Sequence, residues 1–494
     1  MSAEPHGVLL QSAALQSLDP SIRVPSYDRS RLRPGIVHIG VGGFHRAHLA
    51  TYVDELCRSG HLDWAITGAG ILPHDRAMAD ALGAQDCLYS LITRGPATTH
   101  VDVIGSIVDY IHAAGSADSL ITTIANTSTQ IVSLTVTEGG YPIDDLSGSY
   151  LPESSTAGPA SAFGIIAAGL ARRRERGAGG ITVLSCDNIL SNGDAARAST
   201  LGEAERLSPG LAEWIASSTA FPNSMVDRIT PATTEGDRAW LAETLGLIDR
   251  WPVVTEPFRQ WVIEDTFAAD RLPIEELDVL GTTDVEPYEL MKLRLLNASH
   301  SCLAYLAAIA DIETVDAAMT DPEIRTFVTE FLDREAGPVL PPVQGIDLEA
   351  YKRSLVDRFS NPAIGDQIAR LCLDGSAKFP KFLLPTVRAQ LAAGGSVALS
   401  ALALAGWCEY LTGPSDGLAS DPLLGRAVAL AEGSQGDPRA FLAFDEVFGA
   451  DLPATPRFVE AFVRALSHLR SHGVPSAIRA TLQEVTGAND GPTD

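Results

Sequence analysis

The sequence is poor in positive charge: 36 Lys and Arg stand against 62 Asp and Glu in 494 residues, a formal net charge of -26. Such an acidic surface repels phosphate backbones and anionic headgroups, which excludes nucleic acid and the membrane surface as expected partners. Long hydrophobic runs are also missing. No uninterrupted stretch of about 18 apolar residues occurs, so no membrane span is expected. The first residues, MSAEPHGVLLQSAALQSL, lack a basic start and carry Glu4, which predicts no export signal and a cytoplasmic location. Cysteine is sparse and scattered. The six, Cys57, Cys87, Cys186, Cys302, Cys372 and Cys408, form no CxxC pair, which excludes a cysteine zinc site and predicts reduced, buried thiols.

What remains is an ordinary globular composition, 45% apolar, in a chain too long for one hydrophobic core. Short apolar strands alternate with helical patterns up to about residue 283. The strands are expected at Gly35–Ile39, Trp64–Ile71, Val101–Ile107, Gln130–Thr137 and Gly180–Cys186, with helices at Ser116–Thr123 and Ser161–Arg176 among them. The continuous apolar character of Ile131 to Val136 suits a parallel strand covered on both faces. Beyond residue 284 strands become scarce, and helices are expected at Asp321–Glu335, Leu348–Phe359, Ile364–Leu373 and Ser396–Leu411. The fold class is therefore an α/β, Rossmann-type dinucleotide-binding domain over residues 1–283, followed by a mostly α-helical domain over residues 284–494.

Two stretches carry chemistry. The first is the strand Gly35–Ile39 running into Gly40-Val41-Gly42-Gly43-Phe44-His45, with a helix expected to continue to about Cys57. A glycine turn between strand and helix aims free amides and a positive dipole end at one spot, which suits a phosphate. The third glycine of a GxGxxG pattern falls on His45, where bulk has a packing explanation, and no ligand set for a metal stands beside His45 and His48. Asp75, after the second strand, is a candidate for the ribose; its competing role is to cap the next helix. Thr137, Glu138 and Asn188 follow the later strands, where open parallel sheets bind their ligands.

The second stretch is the helix expected over Glu286–Ala310. At 100° per residue, Glu289, Lys292, Asn297 and His300 fall within an arc of roughly 140°. Lys292 lies near Leu293 and Leu296 in angle, so it is expected to be desolvated. Desolvation lowers a lysine's pKa towards the range of a general base, and it equally permits a Schiff base. A further set of cations, Arg370 and Lys378, is expected in a helix-to-loop setting around Gly375–Lys381.

The ordered segments IVHIGVGGFHRAH, LTVTEGGY, SCDN, FPNSMVDRITP, MKLRLLNASH and DGSAKFPKF resemble the signatures of the polyol-specific long-chain dehydrogenase/reductase family, over about residues 30–480. The resemblance implies a metal-independent oxidoreductase that interconverts a polyol and a ketose, with D-mannitol and D-fructose as the favoured pair. Fructuronate/mannonate or arabinitol is the alternative within the family, and a nucleotide or sugar sensor the alternative outside it. It implies NAD as cofactor, with NADP left open, and the residues at its site as Gly40, Gly42, Gly43, Phe44, Asp75, Thr137, Glu138 and Asn188. Lys292 would be the base, Asn188 and Asn297 an oxyanion hole, His300 an orienting group and Glu289 a path for the proton to solvent. Asp227, Arg228, Arg370 and Lys378 would join Lys292, Asn297 and His300 around the substrate. A monomer or small homo-oligomer is expected.

Overall fold

The computed structural model describes residues 7–144, 147–268, 270–414 and 418–487. The chain divides into two compact units, one up to Glu286 and one from Pro287.

In the first unit, five strands form one parallel sheet: β1 (Pro34–Ile39), β2 (Ala65–Gly70), β3 (Ile107–His112), β4 (Ile131–Leu134) and β5 (Thr182–Ser185). Their order is β3-β2-β1-β4-β5. The chain thus reverses its direction of travel between β1 and β4, the switch point where such sheets bind ligands. Neighbouring residues in a strand feed opposite faces. Ile36, Ile131 and Leu184 pack with the helix Leu49–Arg58, whereas Val37, Val132 and Val183 pack with the helices Ala162–Arg176 and Asn192–Leu207. Ser161 caps the helix Ala162–Arg176 through the Gly164 amide, and Gly177 ends it in the left-handed region.

The third sheet strand differs from the expected Val101–Ile107. Thr99–Ile104 instead pairs antiparallel with Tyr89–Arg94 in a separate three-stranded sheet. The chain turns at Gly105 and Ser106 and enters the main sheet only at Ile107. Ser224–Asp227, antiparallel to Gln260–Glu264, makes a further small sheet with Leu280–Thr282. The helix expected to run unbroken from the glycine turn is two, Gly43–Ala47 and Leu49–Arg58, parted at His48.

Among its described residues, the second unit has no strand of two or more residues. Its centre is a continuous helical rod of three parts. Glu286–Met291 is α-helical, Lys292–Asn297 is a π turn and Ala298–Ile309 is α-helical again. The last part packs on the Ala/Leu-rich helix Ala398–Tyr410, and closely: a Cβ on Gly406 would lie 2.9 Å from Leu306 Cδ2. The rings of Tyr305, Phe379, Trp407, Phe441 and Phe444 pack together around this crossing, some stacked and some edge-on. The expected helix Leu348–Phe359 has those bounds, whereas Ile364–Leu373 is helical only over Ile368–Leu371. Lys378 and its neighbours lie within a helix, Gly375–Phe382, rather than at a helix-to-loop junction. The helix carries Pro380 in its interior, a position proline rarely takes.

All six cysteines are free and buried, and burial raises every thiol. No described helix is long and apolar enough to cross a membrane.

The start of helix Ala398–Tyr410 is capped from another element. The fully buried Glu335 carboxylate accepts the amides of Leu399 (2.8 Å) and Ser400 (2.9 Å) and the Ser400 hydroxyl (2.5 Å). Burial raises this carboxyl from 4.5 to about 7, outweighing the bonds that favour the anion. The folded chain therefore holds a proton that the unfolded chain has released, so this stabilisation is complete below pH 4.5 and lost as pH rises through about 7. The whole span corresponds to ~3 kcal/mol. Glu335→Gln is expected to remove the slope, its melting temperature gaining on that of the parent between about pH 5 and 8. Parallel pH curves for the two proteins would contradict this.

Candidate active site

At the switch point the turn after β1 touches the end of β4. Gly40 has φ +94°, and a Cβ there would lie 2.1 Å from the Thr135 carbonyl oxygen. Only glycine satisfies both demands. A buried chain of polar groups holds the two loops together. Thr135 Oγ1 donates to the Gly40 carbonyl (2.6 Å), so His38 Nε2 (2.9 Å from Thr135 Oγ1) carries the proton and His38 Nδ1 accepts from Ser133 Oγ (2.8 Å). Burial lowers the His38 pKa to about 3, which keeps this imidazole neutral.

Gly42 and Gly43 behave differently from Gly40. A Cβ on Gly42 would meet nothing nearer than 3.9 Å, and one on Gly43 only the Thr230 methyl at 3.5 Å. Gly42 is exposed and caps the helix Gly43–Ala47. The fold does not require a bare backbone there, whereas a ligand approaching the amides does. His45, at the third position of the pattern, is fully buried and stacks on His38 at 3.4 Å between ring centroids. Phe44 stacks on His48 at 5.0 Å. Among the described residues no group of three or more His, Cys, Asp or Glu is placed to hold a metal.

Asp75 follows β2 and packs over its end, where a Cβ on Gly70 would meet it at 2.4 Å. Its Oδ2 accepts the Leu72 amide (2.8 Å), turning back rather than capping the helix Arg76–Gly83. After β4, Thr137 takes φ +65°, rare for a β-branched residue. The side chain of Glu138 lies outside the described residues. After β5, Asp187 is buried and Asn188 exposed.

Asp227 is buried at the end of its strand. Arg228 beside it is committed to the backbone, donating to the carbonyls of Ala47 (2.5 Å) and Glu256 (3.0 and 3.2 Å). Burial lowers its pKa to about 10. Nothing in the sequence distinguished this structural use from a substrate contact.

In the second unit, Glu289, Lys292 and His300 are 5%, 7% and 8% exposed, and Asn297 is half-buried. Asn297 Oδ1 is buried and finds no hydrogen-bond partner among the described residues. The π turn changes the geometry of the set. Its wider i→i+5 winding brings Asn297 round towards the Lys292 side of the rod, whereas an α-helix would set the two roughly 140° apart. Glu289–Lys292 and Asn297–His300 are each three apart in sequence, so all four gather on a narrower strip than a regular helix allows. His300 stacks on Phe359 at 4.1 Å and 26°. Arg370 is bonded by two nitrogens to Asp366 (2.8 and 2.5 Å), and Lys378 Nζ donates to the Leu371 carbonyl (3.2 Å).

Two family models cover most of the chain: the mannitol dehydrogenase Rossmann domain at residues 34–276 and the mannitol dehydrogenase C-terminal domain at residues 284–470. The mannitol 2-dehydrogenase of Neosartorya fischeri is 40% identical over 472 residues, 92% of this chain and 94% of that one. The chain belongs to the mannitol dehydrogenase family. The mannitol 2-dehydrogenase of Pyrenophora tritici-repentis is 42% identical over 95% of this family member and 85% of its own length. Among solved structures, Pseudomonas fluorescens mannitol 2-dehydrogenase in ternary complex with NAD and D-mannitol matches with a TM-score of 0.90 and 42% identity. That match covers 97% of this chain and 100% of the other. A D-sorbitol dehydrogenase in substrate-free form matches with a TM-score of 0.85 and 35% identity, over 95% and 100%.

Gly40 and Gly43 allow a direct comparison. Gly40→Ala combines a left-handed backbone with a 2.1 Å contact and is expected to cost about 2–4 kcal/mol. Gly43→Ala is expected to leave the melting temperature nearly unchanged. Equal melting of both variants would contradict the close approach at Thr135.

Proposed function

We propose that this chain interconverts D-mannitol and D-fructose with NAD, Lys292 serving as the general base. Membership of the mannitol dehydrogenase family makes it an NAD-dependent oxidoreductase acting on a secondary alcohol of a polyol. The finer reading rests above all on the π turn, which brings a buried lysine, an imidazole and a half-buried amide with an unpartnered Oδ1 to one side of the rod.

The first unit fits a dinucleotide. Gly42 leaves an open cradle that a side chain would fill, Gly43 adds no side chain beside it, and Gly40 shapes the turn. Asp75, packed over the end of β2, is the residue proposed to take a ribose hydroxyl, and its negative charge disfavours the extra phosphate of NADP. When bound, NAD supplies the acceptor for the hydride leaving C2.

The protein's own groups handle the proton and the developing charge. Lys292 in its neutral form takes the C2 hydroxyl proton as the hydride departs. Asn297 and Asn188 donate to the oxygen while it passes from hydroxyl to carbonyl, the kind of preorganised donor worth ~3–4 kcal/mol elsewhere. His300, held flat against Phe359, orients the same region. Glu289, one helical turn before Lys292, passes the proton on to solvent. Asp227 and Lys378 contribute to holding the remaining hydroxyls. Arg370 has its charge already matched by Asp366, which favours a neutral polyol over a uronate carboxylate.

Lys292→Ala is expected to lower kcat for mannitol oxidation by about 10²–10⁴ near neutral pH. Turnover close to the parent's at every pH would sink the base assignment. Activity is expected to survive dialysis against EDTA, and loss restored by zinc would contradict a metal-free mechanism. For the cofactor, Gly42→Val should melt like the parent yet bind NADH at least about tenfold more weakly, as read by fluorescence titration. Unchanged NADH affinity would remove the glycine turn from the cofactor site.

A further inference from the structure

The sequence presents Asp187 and Asn188 as an undifferentiated polar pair after β5, but the structure separates them. Asn188 is exposed, whereas Asp187 is 8% exposed and faces inward. Its Oδ1 accepts the Thr137 amide (2.8 Å), and its Oδ2 accepts the Val136 amide (3.1 Å) and the Tyr141 hydroxyl (2.8 Å). The Tyr141 oxygen lies 2.6 Å from Ser185 Oγ, so the phenol is held at both ends of its hydrogen bonding. The main chain of Asp187 is fixed as well. Its carbonyl accepts from Asn192 Nδ2 (3.0 Å), and the same amide group closes a two-way pairing with the backbone of Ser224 (2.8 and 2.9 Å).

One carboxylate therefore joins the loop after β5 to the loop after β4, with two amides and a phenol as charge-assisted donors. Its bond to the Thr137 amide also holds a β-branched residue in the left-handed region, an unfavourable conformation that persists only where surrounding contacts impose it. Burial and the nearby Asp187 charge push the Tyr141 phenol well above its ordinary pKa, so its proton stays in the clamp.

We propose that Asp187 is a positioning residue for Asn188: by tying the loop after β5 to the turn at Val136–Thr137, it sets where the Asn188 amide can donate. The inference rests on the reading of Asn188 as a donor to the reacting oxygen. A carboxylate that merely stapled two strand ends would affect stability regardless of what stands at position 188. One acting on the donor loses its effect on turnover once the donor is gone.

The test is a double-mutant cycle on mannitol oxidation. Asp187→Asn keeps the size of the side chain but presents at least one donor to donors; kcat is expected to fall about 10- to 100-fold, with a smaller change in KM for mannitol. In an Asn188→Ala background the same change is expected to lower kcat by less than about twofold further. A kcat for Asp187→Asn within about twofold of the parent, while Asn188→Ala is impaired, would overturn this inference alone. Retention of the full factor in the Asn188→Ala background would do the same. Normal turnover by Asn188→Ala would overturn the donor reading and this inference with it. If Asp187→Asn does not fold, Tyr141→Phe replaces it in the cycle, with an expected fall of about 3- to 10-fold and the same criteria.

Discussion

Burying Glu289, Lys292 and His300 on a single helix is the constraint on which the second unit depends. Ionisable groups removed from water are tolerated only where the surroundings fix them, because each carries a desolvation cost that only well-aimed partners offset. The rod that bears them is immobilised by its apolar remainder. Leu295, Ala298, Cys302, Leu303 and Leu306 are all fully buried or nearly so, and the crossing at Gly406 leaves no room for sliding. The π turn belongs to the same design: it brings Asn297 towards the Lys292 side of the rod at the expense of regular helical bonding, the kind of departure that recurs at functional sites.

The first unit solves a different problem, how to leave backbone exposed to a ligand without leaving it loose. The Ser133–His38–Thr135–Gly40 chain fastens the glycine turn from below, while Gly42 stays bare above it. Asp187 does for the far side of the switch point what His38 does for the near side. In both places a buried polar group at the end of a strand is occupied in holding a loop, and at Asp187 the next residue, Asn188, is exposed. Arg228 follows the same pattern, spending its guanidinium on two backbone carbonyls beside Asp227.

Much of this was legible in the sequence, where local chemistry decides the outcome. The apolar run of β4 reads as a strand covered on both faces, and the glycine turn between β1 and its helix as the phosphate-binding turn of a dinucleotide fold. The acid, lysine, amide and imidazole of the second unit were readable from spacing alone. What escaped was decided by tertiary contacts. Residues 101–104 and 107–112 are equally strand-like, and only the break at Gly105–Ser106 assigns them to different sheets. The π turn has no sequence signal, because its bonding is imposed by packing. Helix Asn192–Leu207 is polar and weakly periodic, and Asn192 within it is recruited by Asp187 and Ser224, more than thirty residues apart in sequence. The supporting role of Asp187 was hidden for the same reason: a side chain's partners cannot be read from its neighbours in the chain.

Substrate choice tests the proposed chemistry most directly. The measurement is NADH formation at 340 nm with NAD and a panel of D-mannitol, D-arabinitol, D-sorbitol and D-mannonate, with the mannitol product identified. D-Mannitol is expected as the preferred substrate and D-fructose as its product. Preference for D-mannonate would contradict the neutral-substrate reading of Arg370 and Asp366, and no NADH from any of the four would contradict the proposed reaction.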